Sequence, residues 1–239
     1  LNIFDSSMDW SYDGKMLTFV TKSGKDDALY VMAPERREVV HRFIFEDLNG
    51  LQSPTFAPDN RRIAFVGMTG GRSDLYIIDL DTEKRTRLTS DRFAVLHPHW
   101  SPDGRYIAFA TDRGPGTDEA GLLFGNFDLA LYDLEAGSIG MITELDGNAI
   151  NPQWNHDSGA LLFLSDHEEI PNIYRIELDS RVIHRITSLK NGVSGITEST
   201  PAFSLSKNGS VLVFSTFENS SWQLYRMDAP FGAIPSPEA

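Results

Sequence analysis

Short apolar runs recur along this chain at regular intervals. They are Met16-Leu17-Thr18-Phe19-Val20, Ile63-Ala64-Phe65-Val66, Ile107-Ala108-Phe109-Ala110, Leu161-Leu162-Phe163-Leu164 and Val211-Leu212-Val213-Phe214. Each is nearly continuous rather than alternating, the pattern of a strand covered on both faces by neighbouring sheets. A polar loop follows each run and leads into a Tyr-centred one: Leu29-Tyr30, Leu75-Tyr76, Leu131-Tyr132, Ile173-Tyr174 and Leu224-Tyr225. None of these runs shows the 3.6-residue apolar spacing of a helix, so the pattern predicts an all-β chain.

An aromatic residue and a tight turn precede every run. The third copy reads Pro98-His99-Trp100-Ser101-Pro102-Asp103-Gly104, in which Pro presets φ, Asp bonds its own backbone and Gly takes a positive φ. The aromatic anchors Trp10, Phe56, Trp100, Trp154 and Phe203 are spaced by 46, 44, 54 and 49 residues, close to the period of propeller blades. Polar outer strands are predicted at 38–45, 85–89, 138–143 and 182–187. A unit is therefore four antiparallel strands, and the fold class is a β-propeller with five blades visible. The fifth unit lacks an outer strand, and Leu1-Asn2 aligns with Leu88-Thr89 as the tail of an earlier one. Either the N-terminal segment closes the fifth blade, or the chain is an arc of a six-bladed or larger ring, which the orphan tail at Leu1 and the missing outer strand after Met227 favour. Residues 1–229 form the propeller in this reading, and the Pro-rich stretch 230–239 reads as linker.

At these residues the chain resembles the TolB-like β-propellers, which have WD-repeat-like blades. Their hallmark is approximately Pro-x-Trp-Ser-Pro-Asp-Gly, an Ile-Ala-Phe strand, an Asp-Arg loop and an Ile-Tyr strand. Blade three matches best, through Pro98, Trp100 to Gly104, Ile107-Ala108-Phe109, Asp112-Arg113 and Leu131-Tyr132. Blades one and five depart from it, with Tyr12 at the Pro position and Leu205-Ser206-Lys207-Asn208 replacing the turn. The resemblance implies a bacterial, periplasmic or otherwise extracytoplasmic setting in the cell envelope. It also admits the propeller (gating) domain of a prolyl-oligopeptidase-like serine peptidase whose catalytic domain lies outside this chain.

Composition removes several function classes. The formal charge of −13 argues against nucleic acid as partner, because phosphate recognition uses clustered Lys and Arg. The absence of Cys excludes disulfides, thiolate metal sites and a cysteine nucleophile. No apolar stretch approaches the length of a membrane-spanning helix, so direct membrane insertion by this segment is not expected. Leu1 stands where an initiator Met would, and the start reads as a cut or processed end.

Candidate chemistry is sparse. Gly192-Val193-Ser194-Gly195 resembles a nucleophile elbow, but Ile196 stands where the final Gly is needed and no strand-turn-helix pattern surrounds it. No catalytic residue is assigned, and the chain is expected not to be an enzyme. His97-Pro98-His99 offers two imidazoles, read as a packed or channel-lining pair rather than a metal site. Asp26-Asp27, Asp112 with Asp118-Glu119, and Asp166 with Glu168-Glu169 place carboxylates in the loops between second and third strands. Calcium takes such oxygen ligands, whereas solvated loop charge is the preferred reading, and no cofactor is expected.

The function expected is a non-catalytic module that binds a protein or peptide. In a four-stranded meander the loops between strands two and three and the loops between blades emerge on one side, opposite the Asp-Gly turns. The long spacings arise from 112–127 and 188–200, both on that side. Long loops on a rigid scaffold are where binding concentrates. The expected partner face is Arg113, Asp118, Glu119, Leu122, Leu123, Phe124 and Asn126, with His167, Glu168, Asn191 and Thr197 beside them.

Overall fold

The structure, a computed structural model, describes residues 8–118, 120–121, 123–195 and 200–232. Each sequence repeat folds into one antiparallel sheet whose strands lie side by side in chain order. Blade 1 is β1 (Met8–Trp10), β2 (Leu17–Ser23), β3 (Asp26–Ala33) and β4 (Glu38–Ile44). Blade 2 is β5 (Gly50–Phe56), β6 (Arg62–Thr69), β7 (Arg72–Asp79) and β8 (Arg85–Arg87). Blade 3 is β9 (Leu96–Trp100), β10 (Tyr106–Thr111), β11 (Asp128–Asp133) and β12 (Ser138–Met141). Blade 4 is β13 (Ala149–Trp154), β14 (Ala160–Ser165), β15 (Asn172–Glu177) and β16 (Ile183–Arg185). Blade 5 has three strands, β17 (Phe203–Leu205), β18 (Val211–Glu218) and β19 (Ser221–Asp228). A single turn of 3₁₀ helix at Pro34–Arg36 is the one helical element among the described residues. The all-β expectation and the five blades hold, and the fold is a five-bladed propeller.

Register within a blade follows from aromatic pairing. The Phe of the second strand lies directly opposite the Tyr of the third in blades 1, 2, 4 and 5. Three of these four pairs stack with ring centroids 5.5 to 5.6 Å apart, and Phe163–Tyr174 is tilted at 5.9 Å. Cross-strand aromatic pairs of this kind contribute roughly 0.2–1 kcal/mol each relative to a pair of alanines.

Packing between blades is carried by the anchors. Phe56 joins a core cluster with Leu29 and Val31 of the preceding blade, and Trp100 joins one with Ala64, Val66, Leu75 and Ile77. Trp154 donates its indole N–H to the carbonyl of His99, 3.0 Å away, and stacks on Tyr106. Trp100 and Trp154 are 0% and 3% exposed, as their repeat position predicts.

A second device secures the outer strand. In blades 2, 3 and 4 a Thr just past that strand donates to the polar residue that precedes the apolar third-strand position. The pairs are Thr89–Asp74 (3.0 Å), Thr143–Asp128 (2.8 Å) and Thr187–Asn172 (2.9 Å). The same hydroxyl accepts the next backbone N–H, from Leu75, Leu129 or Ile173. All six side chains are buried, so each hydrogen bond satisfies groups that water cannot reach.

The fifth-to-first seam differs from the other four. Lys207 of blade 5 pairs with Asp9 of blade 1 at 2.8 Å, which ties the inner edges together. The facing sheets are not packed: Trp10 is 46% exposed and Leu224 is 79% exposed, where Leu29, Leu75 and Ile173 are fully buried. Part of the expected linker is also ordered against the blades, since the Arg175 guanidinium lies 5.3 Å over the Phe231 ring and donates to its carbonyl.

Two predictions follow from this packing. Trp100→Ala should destabilise by about 3–5 kcal/mol, whereas Trp100→Phe should lose far less because Phe56 and Phe203 fill the same repeat position; denaturant midpoints of the two variants check this. Burial pushes the Asp128 carboxyl above its usual range, opposed by Thr143 and the Leu145 N–H. A raised folded pKa means the carboxyl's stabilising contribution is present below about pH 3.8 and is lost as pH rises through the folded value. Asp128→Asn, the arrangement blade 4 already uses at Asn172, should therefore raise the melting temperature at neutral pH and flatten its pH dependence.

Candidate functional site: the central channel and its rim

The inner strands surround a cavity of about 390 Å³. Two positions of the repeat supply most of its polar side chains, and Val213, Ser215 and Leu224 of blade 5 line it as well. The residue just before each anchor supplies one layer: Asp9, Thr55, His99, Gln153 and Ala202. The residue three before the anchor supplies a second layer in blades 2 to 5: Ser53, His97, Asn151 and Thr200.

That second layer has a backbone cause. Ser53, His97 and Asn151 adopt left-handed φ values of 49°, 51° and 55°, and the ladder with the second strand slips at each. Each is followed by a proline, Pro54, Pro98 or Pro152, which has no N–H to leave unpaired where the ladder opens. A bulge of this kind re-aims a side chain, and non-glycine residues in the left-handed region concentrate at functional sites. His97 and His99 are thus the channel-lining pair expected from the sequence, and among the described residues no cluster of three His, Asp or Glu is placed to hold a metal ion.

At the turn end, side-chain contacts join blade 1 to blades 3 and 5. Tyr12, from the first Asp-Gly turn, reaches across the axis and donates its hydroxyl to the carbonyl of Trp100 at 3.3 Å. The Lys207 ammonium sits 4.7 Å over the Tyr12 ring while pairing with Asp9. Asp9 also accepts from the Thr55 hydroxyl and the Phe56 N–H, at 3.0 and 2.8 Å. Burial, reinforced by Asp9 and Asp103, pushes the Tyr12 phenol well above its usual range, so it stays neutral. The position that is Pro in blades 2 and 3 thus becomes a tie between blades in blade 1. Gln153 and Asn151 splice blade 4 to blade 5 by donating to the Phe203 carbonyl, and the Gln153 side-chain oxygen accepts from the Leu205 N–H.

The rim opposite the turns carries the long loops. Asp118 and Leu123 exchange backbone hydrogen bonds of 2.9 and 3.0 Å, which makes a miniature hairpin that holds Leu123 and Phe124 62% and 69% exposed. Asn126 and Asn191 are also exposed. Arg113 turns inward instead: it donates to Asp91 and Thr111 and lies over the rings of Phe93 and Phe109. His167 packs on Tyr174 with ring centres 4.4 Å apart and shares a 2.9 Å hydrogen bond with Ser165. Glu168 accepts from the Tyr174 hydroxyl and from Arg185. Glu119, Leu122 and Thr197 lie outside the described residues.

Three of the loop carboxylates considered for calcium, Asp27, Asp112 and Asp166, have protein partners. Asp27 pairs with Lys22 at 2.6 Å and accepts the Leu51 N–H. Asp112 accepts the N–H of Ala94, and Asp166 that of Asn148, so each holds the chain entering its own blade. Ser194 exchanges backbone and side-chain hydrogen bonds with Ser215, fastening its loop to blade 5.

The polar layers, the Tyr12 tie to Trp100 and the splice through Gln153 were not singled out from the sequence. The signal for the layers was present, because offsets of one and three residues from each anchor can be read off the repeat alignment.

Comparison with known proteins agrees with this architecture. The family model of the TolB β-propeller domain matches residues 6–118. The Protein TolB homolog of Chlorobaculum tepidum is 28% identical over 187 residues, covering 78% of this chain and 37% of the relative. The Tol-Pal system protein TolB of Francisella tularensis subsp. mediasiatica is 29% identical over 133 residues, or 56% of this chain and 28% of the relative. The crystal structure of TolB from Acinetobacter baumannii superimposes with a TM-score of 0.71 at 22% identity, over 94% of this chain and 52% of that one, a likeness of fold. The chain thus matches well under two thirds of the length of these relatives, and it is similar to TolB β-propellers in sequence and in fold.

His99 offers a test of the channel's burial. Desolvation, then the Lys207 charge, lowers its imidazole to about 4, with Asp9 opposing. The folded state therefore favours the neutral ring, and its contribution is present above pH 6.5 and lost as pH falls towards 4. We expect the melting temperature to drop across that window, and His99→Gln to shallow the drop measurably.

Proposed function

We propose that this TolB-like propeller is a non-catalytic module that binds a protein or peptide partner within a larger, envelope-associated bacterial protein. Its setting is periplasmic or otherwise extracytoplasmic. The observation that carries this reading is the sidedness of the scaffold. At the turn end Tyr12 and Lys207 tie blade 1 to blades 3 and 5, while the opposite rim presents Leu123 and Phe124 on a short, backbone-bonded hairpin. Exposed apolar side chains held by main-chain hydrogen bonds lose little further entropy on docking, which favours association.

Partner contacts centre on Asp118, Leu123, Phe124 and Asn126, with Glu119 and Leu122 of the same loop. His167, Glu168, Asn191 and Thr197 extend the surface towards the next blades. Arg113 serves this face by fixing the loop's base through Asp91 rather than by touching the partner. The calcium alternative loses ground to the backbone and Lys22 partners of Asp27, Asp112 and Asp166.

Site-specific photo-crosslinking in bacterial cells tests the assignment. A photoreactive residue at 124 or 126 should give protein adducts, and one at Asp103 on the turn side should give none. Exchanging residues 114–126 for the short loop 70–71 of blade 2, with Asp112 and Arg113 retained, should preserve folding and abolish those adducts placed at 191. Equal labelling from both faces would rule this face out.

A further inference from the structure

We infer that Asn191 is a site of spontaneous covalent modification: its side-chain amide is lost through attack by the Gly192 backbone nitrogen, which leaves an acid on the loop between blades 4 and 5. The chain holds three Asn-Gly pairs, Asn49-Gly50, Asn191-Gly192 and Asn208-Gly209. Glycine suits the reaction because no side chain hinders the approach of its nitrogen to the amide carbon of the preceding residue. The loop cannot dispense with glycine at 192, where φ is +72° and a Cβ would lie 2.9 Å from the Pro171 carbonyl oxygen. In the reaction the nitrogen of Gly192 bonds to Cγ of Asn191, the bond from Cγ to Nδ2 breaks, and ammonia leaves with the proton of the Gly192 amide. The resulting five-membered succinimide takes up one water at either carbonyl and opens to aspartate or isoaspartate.

Accessibility does not separate the three pairs, since each Asn is exposed and each Gly is buried, so hydrogen bonding decides between them. Asn208 Oδ1 accepts from the Ser206 hydroxyl and from the backbone N–H and hydroxyl of Ser210, at 2.8, 3.1 and 2.7 Å. The Gly209 N–H is held by the Ser206 carbonyl at 2.7 Å. Asn49 Oδ1 accepts the Gly70 N–H at 3.2 Å, the Asn49 N–H donates to the Met68 carbonyl at 2.7 Å, and Gly50 opens β5 by pairing with Met68. The Asn191 side chain, in contrast, makes no hydrogen bond among the described residues. The Gly192 N–H meets the Leu189 carbonyl at a long 3.3 Å. Each hydrogen bond that must be released slows the attack a few-fold to about tenfold, so Asn191 reacts first. Just beyond it, Val193 and Ser194 donate to the carbonyls of Pro171 and Ser215 at 2.7 and 3.0 Å. An isoaspartate adds one carbon to the main chain immediately before these contacts, and a new negative charge stands beside them.

Peptide mapping by mass spectrometry tests this on the 239-residue chain, held folded at physiological temperature and mildly alkaline pH in water enriched in heavy oxygen. Conversion at Asn191 is expected to run at least about tenfold faster than at Asn49 or Asn208. Each product should carry one heavy oxygen, and isoaspartate should form as well as aspartate. In denaturant the three rates should converge, because the fold rather than the local sequence ranks them. Asn191→Gln, which removes the path through a five-membered ring, should stop the reaction at 191 and leave positions 49 and 208 as they were. Equal rates at the three pairs in the folded protein, or a faster rate at Asn49 or Asn208, would overturn the proposal. A ranking that persists unchanged in denaturant would overturn it too. So would an Asn191 that stays intact in the folded protein and reacts only in denaturant, by showing that the Val193 and Ser194 contacts hold the loop against attack.

Discussion

The structure depends on the aromatic side chain at the end of each inner strand resting on the sheet before it. A four-stranded meander is apolar on both faces in this protein, and neither face is stable in water alone. Trp100 resolves this for blades 2 and 3 at once, because it is contributed by one sheet and buried by the side chains of the other. Burial of a large side chain contributes on the order of 2–3 kcal/mol, and here that contribution exists only when two blades are in place. Stability is thus a property of neighbours, as in other repeat folds, and Trp10 and Leu224, which lack a packed neighbour, are the exception that marks the seam.

Much of this was legible in the residues because the repeat supplies its own controls. The five anchors, the Asp-Gly turns and the paired Phe and Tyr runs fixed strand order and period, and local chemistry does not compete with that pattern. The outer strand was legible in part: the sequence shows a Leu-Thr pair, but not that Thr89, Thr143 and Thr187 reach back fifteen residues to Asp74, Asp128 and Asn172. Side-chain latches across two strands leave no periodic trace, so only their spacing betrays them.

The site was less legible for a related reason. Exposure of Leu123 and Phe124 followed from loop length, yet the inward turn of Arg113 depends on Asp91, Phe93 and Phe109 converging from two other segments. Likewise Tyr12 looks like a degraded turn residue in one dimension. Its role emerges only because the propeller axis brings blade 1 opposite the carbonyl of Trp100 in blade 3. Contacts that cross the axis join residues some ninety positions apart, and no window along the chain contains both.

The slipped ladder at Ser53, His97 and Asn151 separates two duties that usually conflict. In an ordinary strand, the side chain that faces a ligand belongs to the same pleat that sets the packing of its neighbours, so changing one disturbs the other. Here the proline fixes the local path, and the residue ahead of it turns its buried side chain to the channel. The occupants are already a hydroxyl, an imidazole and an amide, three unlike groups on one backbone. The channel wall thus changes its chemistry from blade to blade along blades 2, 3 and 4 while the repeat that carries it stays the same, and only at Asn151 does the same position also bind the next blade.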